Sequence, residues 1–241
     1  MTIDLRGGAA SAPLSAAPPR VLIAVTGVSP GCGSSMVATT IADAAAALTT
    51  TDGHPVSVAL LYPCDDVDAQ DVKTGATDMQ PAGEGIVAGR RESGARFVMP
   101  EFGFPAPPDQ ATWFEACGYP EIVVVDVASD DISTWMGSAA ERTAAVYVAR
   151  PSIPSIRNLD AFISPDATYR SAVAVTAATS DTPELVGLLA GSAAEQVTAT
   201  AYFPLDHDLA LTGVPASLPA AQLAAARDLL TRLDVLEGAP A

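Results

Sequence analysis

The stretch Gly27-Val28-Ser29-Pro30-Gly31-Cys32-Gly33-Ser34-Ser35 decides the reading of this chain. An apolar run, Arg20 to Thr26 (RVLIAVT), precedes it, and an Ala-rich segment, Met36 to Leu48, follows. Strand, glycine-rich turn and helix, in that order, form the context in which backbone N–H groups converge on phosphate oxygens at a helix N-terminus. Gly31 and Gly33 permit the backbone conformations and close approach that such a cradle requires. Ser35 stands where the motif's Ser/Thr ligates Mg²⁺, but Ser34 stands where the motif carries lysine. A hydroxyl gives one hydrogen bond and no charge. Losing a charge-assisted contact of this kind costs about 1.5–3 kcal/mol in binding. The same residues also suit a plain turn between a strand and a helix, so the loop alone leaves both readings open.

Composition bounds the rest. The 241 residues suit one large domain, and 49% of them are apolar, enough for a sizeable core. Asp+Glu is 28 against Lys+Arg 12, a formal net charge of -16 that repels nucleic acid and anionic membrane. Lys73 is the only lysine. Cys32, Cys64 and Cys117 are widely spaced and odd in number, which suggests neither a disulfide framework nor a zinc site and fits a reducing cytoplasm. The first twenty residues contain no apolar signal-peptide core, and no run approaches the ~20 apolar residues that span a bilayer.

Residues 1–19 read as a disordered lead-in, 20–236 as a single domain and 237–241 as a flexible tail. Strands are expected at Val21–Val25, Val56–Tyr62, Arg96–Met99, Ile122–Val127, Ala144–Val148, Ala172–Thr176 and Val197–Phe203. Helices are expected at Ser34–Leu48, Asp109–Cys117, Ile132–Glu141, Ile153–Phe162, Thr182–Ala190 and Pro219–Leu236. Runs such as VLIAV and IVVVDV are apolar throughout, as strands buried on both faces are. They predict a three-layer α/β/α fold with a mostly parallel sheet. The segment 63–108, rich in Asp, Gly, Pro and Glu, is expected to hold long loops, one short helix and one strand. The last helix carries Leu223, Ala226, Leu230, Leu233 and, at its end, Leu236 on one stripe. Arg227 and Arg232 are offset by Asp228 and Asp234, which favours core packing over membrane targeting.

Ile122-Val123-Val124-Val125-Asp126 is an apolar strand ending in a carboxylate, a Walker B pattern whose Asp would hold the Mg²⁺ water shell. An Asp at a strand end is also common without that role.

With these elements in this order, the chain resembles the MinD/ParA/CpaE superfamily of deviant-Walker P-loop ATPases over most of residues 20–236. Ser29 to Met36 aligns with the family's Lys-Gly-Gly-Val-Gly-Lys-Thr-Thr loop. Arg150-Pro151-Ser152-Ile153-Pro154-Ser155-Ile156-Arg157-Asn158 is especially similar to the pilus-associated CpaE/TadZ branch. Tyr202-Phe203-Pro204-Leu205-Asp206 and Gly213-Val214-Pro215 resemble the family's Ile-Pro-Tyr-Asp stretch and its Gly-x-Pro. The resemblance implies a P-loop NTPase architecture of the SIMIBI type. It also implies ATP and Mg²⁺ as ligands, with Gly31, Cys32, Gly33, Ser34 and Ser35 on phosphate and Ser35 and Asp126 on the metal. It further implies a cytoplasmic dimer, homodimeric or with an active relative, serving a secretion, pilus or other positioning machine.

Four departures set this chain apart. Ser29 replaces the signature lysine that reaches across a dimer, and Ser34 replaces the Walker A lysine. Tyr62-Pro63 occupies the ground of the aspartate that orients water, with Asp65 or Asp66 as shifted substitutes. The base-side Asn is missing from Val173-Ala174-Val175-Thr176-Ala177. The expectation is a scaffold with weak or no hydrolysis, a pseudo-ATPase. The alternative is a slow Mg-ATPase in which Arg150 or Arg157 supplies the missing charge.

Other residues carry weaker signals. His207 between Asp206 and Asp208 could ligate a metal, but three adjacent residues rarely converge on one ion, and a solvated loop is the plainer reading. The acidic run Cys64–Asp68 likewise reads as solvated loop. Cys32 could be an activated thiol at a helix N-terminus or a small buried filler. Trp113, Phe114 and Trp135 are expected at helix–sheet contacts; an exposed Trp135 would instead mark a partner surface.

Overall fold

Period-two burial in the first apolar run organises the molecule. In the computed structural model, Val21, Ile23 and Val25 enter one apolar cluster and Leu22 and Ala24 another, so the run is covered on both faces. The structure describes residues 2–3, 18–50, 52–63, 75–101, 109–127, 132–138, 140–164, 167–187, 195–204, 206 and 214–234.

Nine strands form the central sheet: β1 Val21–Gly27, β2 Val58–Leu61, β3 Thr77–Gly83, β4 Ile86–Arg90, β5 Arg96–Pro100, β6 Ile122–Val127, β7 Arg142–Ala149, β8 Arg170–Ala178 and β9 Val197–Pro204. Their order is β9-β8-β7-β1-β6-β2-β5-β4-β3. The seven strands from β9 to β5 run parallel; β4 and β3 add an antiparallel edge. Two residues near the N-terminus, Thr2–Ile3, pair in parallel with Thr49–Thr50 outside this sheet.

The helices are α1 Ser34–Ala46, α2 Gln110–Cys117, α3 Ile132–Met136, α4 Ile153–Phe162, α5 Thr182–Val186 and α6 Ala220–Leu233. On one face α1 and α6 bring Val37, Ile41, Ala226, Leu229, Leu230 and Leu233 against the sheet. On the other, α2, α3 and α4 bring Trp113, Phe114, Ile132, Trp135, Ile156 and Leu159. Parallel strands buried on both faces need such cover, and the result is the expected three-layer α/β/α architecture. Trp135 is only 5% exposed and meets Phe114 edge to face at 6.4 Å, so it belongs to the core rather than to a partner surface.

Two expectations are corrected. The described part of 63–108 carries three strands, not one. In β3 six of the seven side chains are exposed and one is Pro81, so it shows no apolar alternation; its sheet-edge place tolerates the proline. The helix expected at Ile132–Glu141 ends at Met136, where Gly137-Ser138 breaks it and Ser138 Oγ takes the N–H of Ala140. The expected short helix of 63–108 and the ends of the helices at 188–190 and 235–236 lie outside the described residues.

Candidate functional site

β1 hands the chain to α1 at the C-terminal end of the sheet, flanked by β6 and β7. Gly31 (φ 65°) and Gly33 (φ 91°) both take left-handed backbone. A Cβ at Gly31 would lie 3.0 Å from the Arg150 guanidinium, and one at Gly33 3.3 Å from the Thr176 methyl. Neighbouring elements take up the loop's carbonyls. Thr176 Oγ1 donates to Cys32 O at 2.6 Å, and Asn158 Nδ2 to Val28 O at 3.4 Å. Arg150 donates to Gly31 O through Nε at 3.0 Å and through a terminal nitrogen.

The start of α1 is left open. Its N-cap, Gly33, offers no side-chain acceptor, whereas Asp109 caps α2 and Ser152 caps α4. The first-turn N–H groups of α1, with the positive end of the helix dipole, are therefore available to an anion.

Asp126 stands one strand away, in register with Val25. It is 6% exposed. Burial pushes its carboxyl up to about 6, opposed by hydrogen bonds with the Ser35 and Ser34 hydroxyls. Asp126 Oδ2 is buried with no partner among the described residues. A buried carboxylate with an orphan oxygen, bonded to Ser35, is a hard-oxygen donor set that fits Mg²⁺. The structure thus brings Gly31, Gly33, Ser34, Ser35 and Asp126 together.

A cavity of about 460 Å³ opens beside the loop, lined by Gly31, Gly33, Arg150, Thr176, Asp206 and Gln222 among others. Gln222 is 1% exposed; its Nε2 donates to Pro204 O at 2.8 Å and its Oε1 finds no partner among the described residues. Ala177, at the rim where the base-side Asn was expected, has φ 51°, a strained value for a residue with a Cβ. Thr176 and Gln222 escaped the sequence reading. A buried glutamine on an otherwise apolar helix stripe was the available signal for the second.

Cys32 is buried and burial raises its thiol, so it is packing, not an activated nucleophile. Ser29 Oγ lies 3.4 Å from Ser155 Oγ. Arg157 is exposed on α4, while Arg150 touches the loop. Asp65, Asp66, His207 and Asp208 lie outside the described residues. Among the described residues no group of three His, Cys, Asp or Glu could hold a metal, and no helix is long and apolar enough to cross a membrane.

The nine-stranded, mostly parallel sheet with helices on both faces is the fold of solved MinD and plasmid partition proteins. The MinC:MinD cell division complex of Aquifex aeolicus matches with TM-score 0.55 at 18% identity, covering 92% of this chain and 98% of that one. MinD of Pyrococcus horikoshii complexed with Mg-ADP matches with TM-score 0.51 at 13% identity, over 90% and 96%. A plasmid partition protein of Borrelia burgdorferi bound to AMPPNP matches with TM-score 0.52 at 10% identity, over 90% and 98%. No family model matches the sequence, and no curated protein matches it.

Proposed function

We propose that this protein is a nucleotide-stabilised positioning scaffold, a MinD/ParA-like pseudo-ATPase in the manner of the CpaE/TadZ branch. It would bind ATP with Mg²⁺, act as a dimer with itself or with an active relative, and organise a secretion, pilus or other polar assembly. The carrying observation is the uncapped start of α1 beside Asp126, whose buried Oδ2 has no partner among the described residues. That geometry suits binding, while Ser29 and Ser34 leave both lysine positions uncharged.

The residues divide the work. N–H groups after Gly33 meet phosphate, and Ser35 with Asp126 would hold Mg²⁺, which when bound neutralises phosphate charge. Thr176 and Arg150 fix the loop through Cys32 O and Gly31 O. A second reading has its own support: Arg150 lines the cavity and reaches the loop, so its guanidinium could supply the missing charge to a slow Mg-ATPase. Calorimetric titration with ATP, with and without Mg²⁺, tests the scaffold reading, with light scattering to follow mass. Magnesium-dependent binding with dimerisation supports it; no binding at millimolar ATP removes nucleotide from the account. Arg150→Ala weakening ATP binding about tenfold would assign the substitute charge to Arg150.

A further inference from the structure

The other end of the sheet holds a second cavity of about 460 Å³, whose lining includes Arg90, Arg96, Ser57, Pro55, Val56 and Pro120. Arg90 closes β4, Arg96 opens β5, and the two face each other directly across the antiparallel ladder. Like charges in that position repel, and evolution ordinarily separates them or supplies a carboxylate between them. Neither arginine makes an ion pair among the described residues. Among the described residues the Arg90 side chain gives one long hydrogen bond, from Nη1 to Gly94 O at 3.4 Å, and Arg96 Nε is buried without a partner.

The nearby acids do not satisfy them. Glu121 is held by Ser57, whose N–H and Oγ donate to Oε2 at 3.0 and 3.1 Å. Asp78 lines an adjoining cavity of about 320 Å³ with both arginines and forms no ion pair with either among the described residues. Their neighbour Arg91 differs in having its charge matched: it grips Asp43 with two bonds of 2.8 Å and Pro215 O at 2.9 Å, although its Nη1, like Arg96 Nε, is buried without a partner among the described residues. In a chain with 12 cationic residues and a net charge of -16, two adjacent unpaired arginines facing one cavity are an anomaly.

We infer that this cavity is a binding site for a small organic oxyanion, its phosphate or carboxylate head held between Arg96 and Arg90. Guanidinium forks match such heads with paired N–H donors. Pro55, Val56 and Pro120 give the ligand's body an apolar bed, and the volume lies within the range of small-molecule sites. The proposal is independent of nucleotide binding, since the loop cavity lies at the opposite ends of the strands.

The test is an NMR titration of the ¹⁵N-labelled full chain with inorganic phosphate and, separately, with citrate. Saturable shifts at the Ser57, Gly94 and Gly118 amides are expected, and the probe that saturates first identifies the head group. Arg96→Gln should weaken that binding about tenfold or more, and Arg96→Lys less, because lysine keeps the charge without the fork. Asp126→Asn, at the loop, should leave it unchanged. Arg90→Gln, on a more exposed side chain of the same cavity, gives a second reading should Arg96→Gln disturb the fold. Shifts confined to the loop amides, no saturation up to about 10 mM of either probe, or equal affinity in the arginine variants would overturn the proposal.

Discussion

The two ends of the parallel sheet carry opposite unmet charges. At the C-terminal end a carboxylate, Asp126, is buried with one oxygen unpartnered among the described residues, beside an uncapped helix. At the N-terminal end Arg96 is half-buried with its Nε unpartnered among the described residues, beside a second arginine. On the readings proposed above, the first would take a cation and a phosphate together and the second an anion alone. Elsewhere among the described residues a buried charge is matched, as with Arg91 and Asp43. An unpartnered buried polar atom costs free energy in the empty protein, and on the readings proposed above a ligand at each end would offset that cost.

Arginine truncations probe this contrast with the largest effects. Arg91→Ala strands the Asp43 carboxylate in the interior and should cost about 3–5 kcal/mol in urea unfolding. Arg96→Gln removes a charge with no ion pair among the described residues and relieves its repulsion with Arg90, so it should leave stability unchanged or raise it by about 0.5 kcal/mol in phosphate-free buffer. Equal losses in the two variants would mean that Arg96 is structural.

The acidic end has a pH signature. The Asp126 carboxyl is raised in the folded state, from 3.8 to about 6, so folding favours its protonated form. Its contribution to stability is full below about pH 4 and is lost as pH rises through 6, amounting to about 3 kcal/mol. Asp126→Asn cannot lose a proton. Without nucleotide or Mg²⁺ it should match the wild type near pH 4 and exceed it by up to about 3 kcal/mol at pH 8. A wild type that instead gains stability relative to the variant as pH rises would show that Asp126 is paired after all.

Loop fixation should register more weakly. Thr176→Val deletes the 2.6 Å bond to Cys32 O and should cost about 1–2 kcal/mol. Ser152→Ala removes the α4 cap and should cost about 1 kcal/mol, with little effect at the open start of α1.

What was legible in the sequence follows from local physics. β6 at Ile122–Val127 and α4 at Ile153–Phe162 appear with the expected bounds, because an unbroken apolar run and a Ser-x-Pro start are local signals. The turn carrying Gly31, Gly33, Ser34 and Ser35 and the strand end at Asp126 stood out for the same reason, whereas that the two meet was implied by the family resemblance and not by local pattern. β3 was not: TDMQPAG is exposed and polar, and only pairing with β4 makes it a strand. Nor were the contacts of Arg150 with Gly31, Thr176 with Cys32 and Gln222 with Pro204, which join residues 119, 144 and 18 positions apart. The Arg90–Arg96 pairing was hidden inside the segment whose strands were undercounted. Local patterning signals elements; the charges that face each other across them emerge only once the sheet is assembled.

On the proposed function, the loop end binds Mg-ATP but turns it over poorly. Phosphate release at saturating Mg-ATP, measured for the wild type and Asp126→Ala, is the decisive experiment. Measurable binding with release no faster in the wild type than in the variant is expected. Steady release from the wild type that Asp126→Ala abolishes would contradict it and establish a working ATPase.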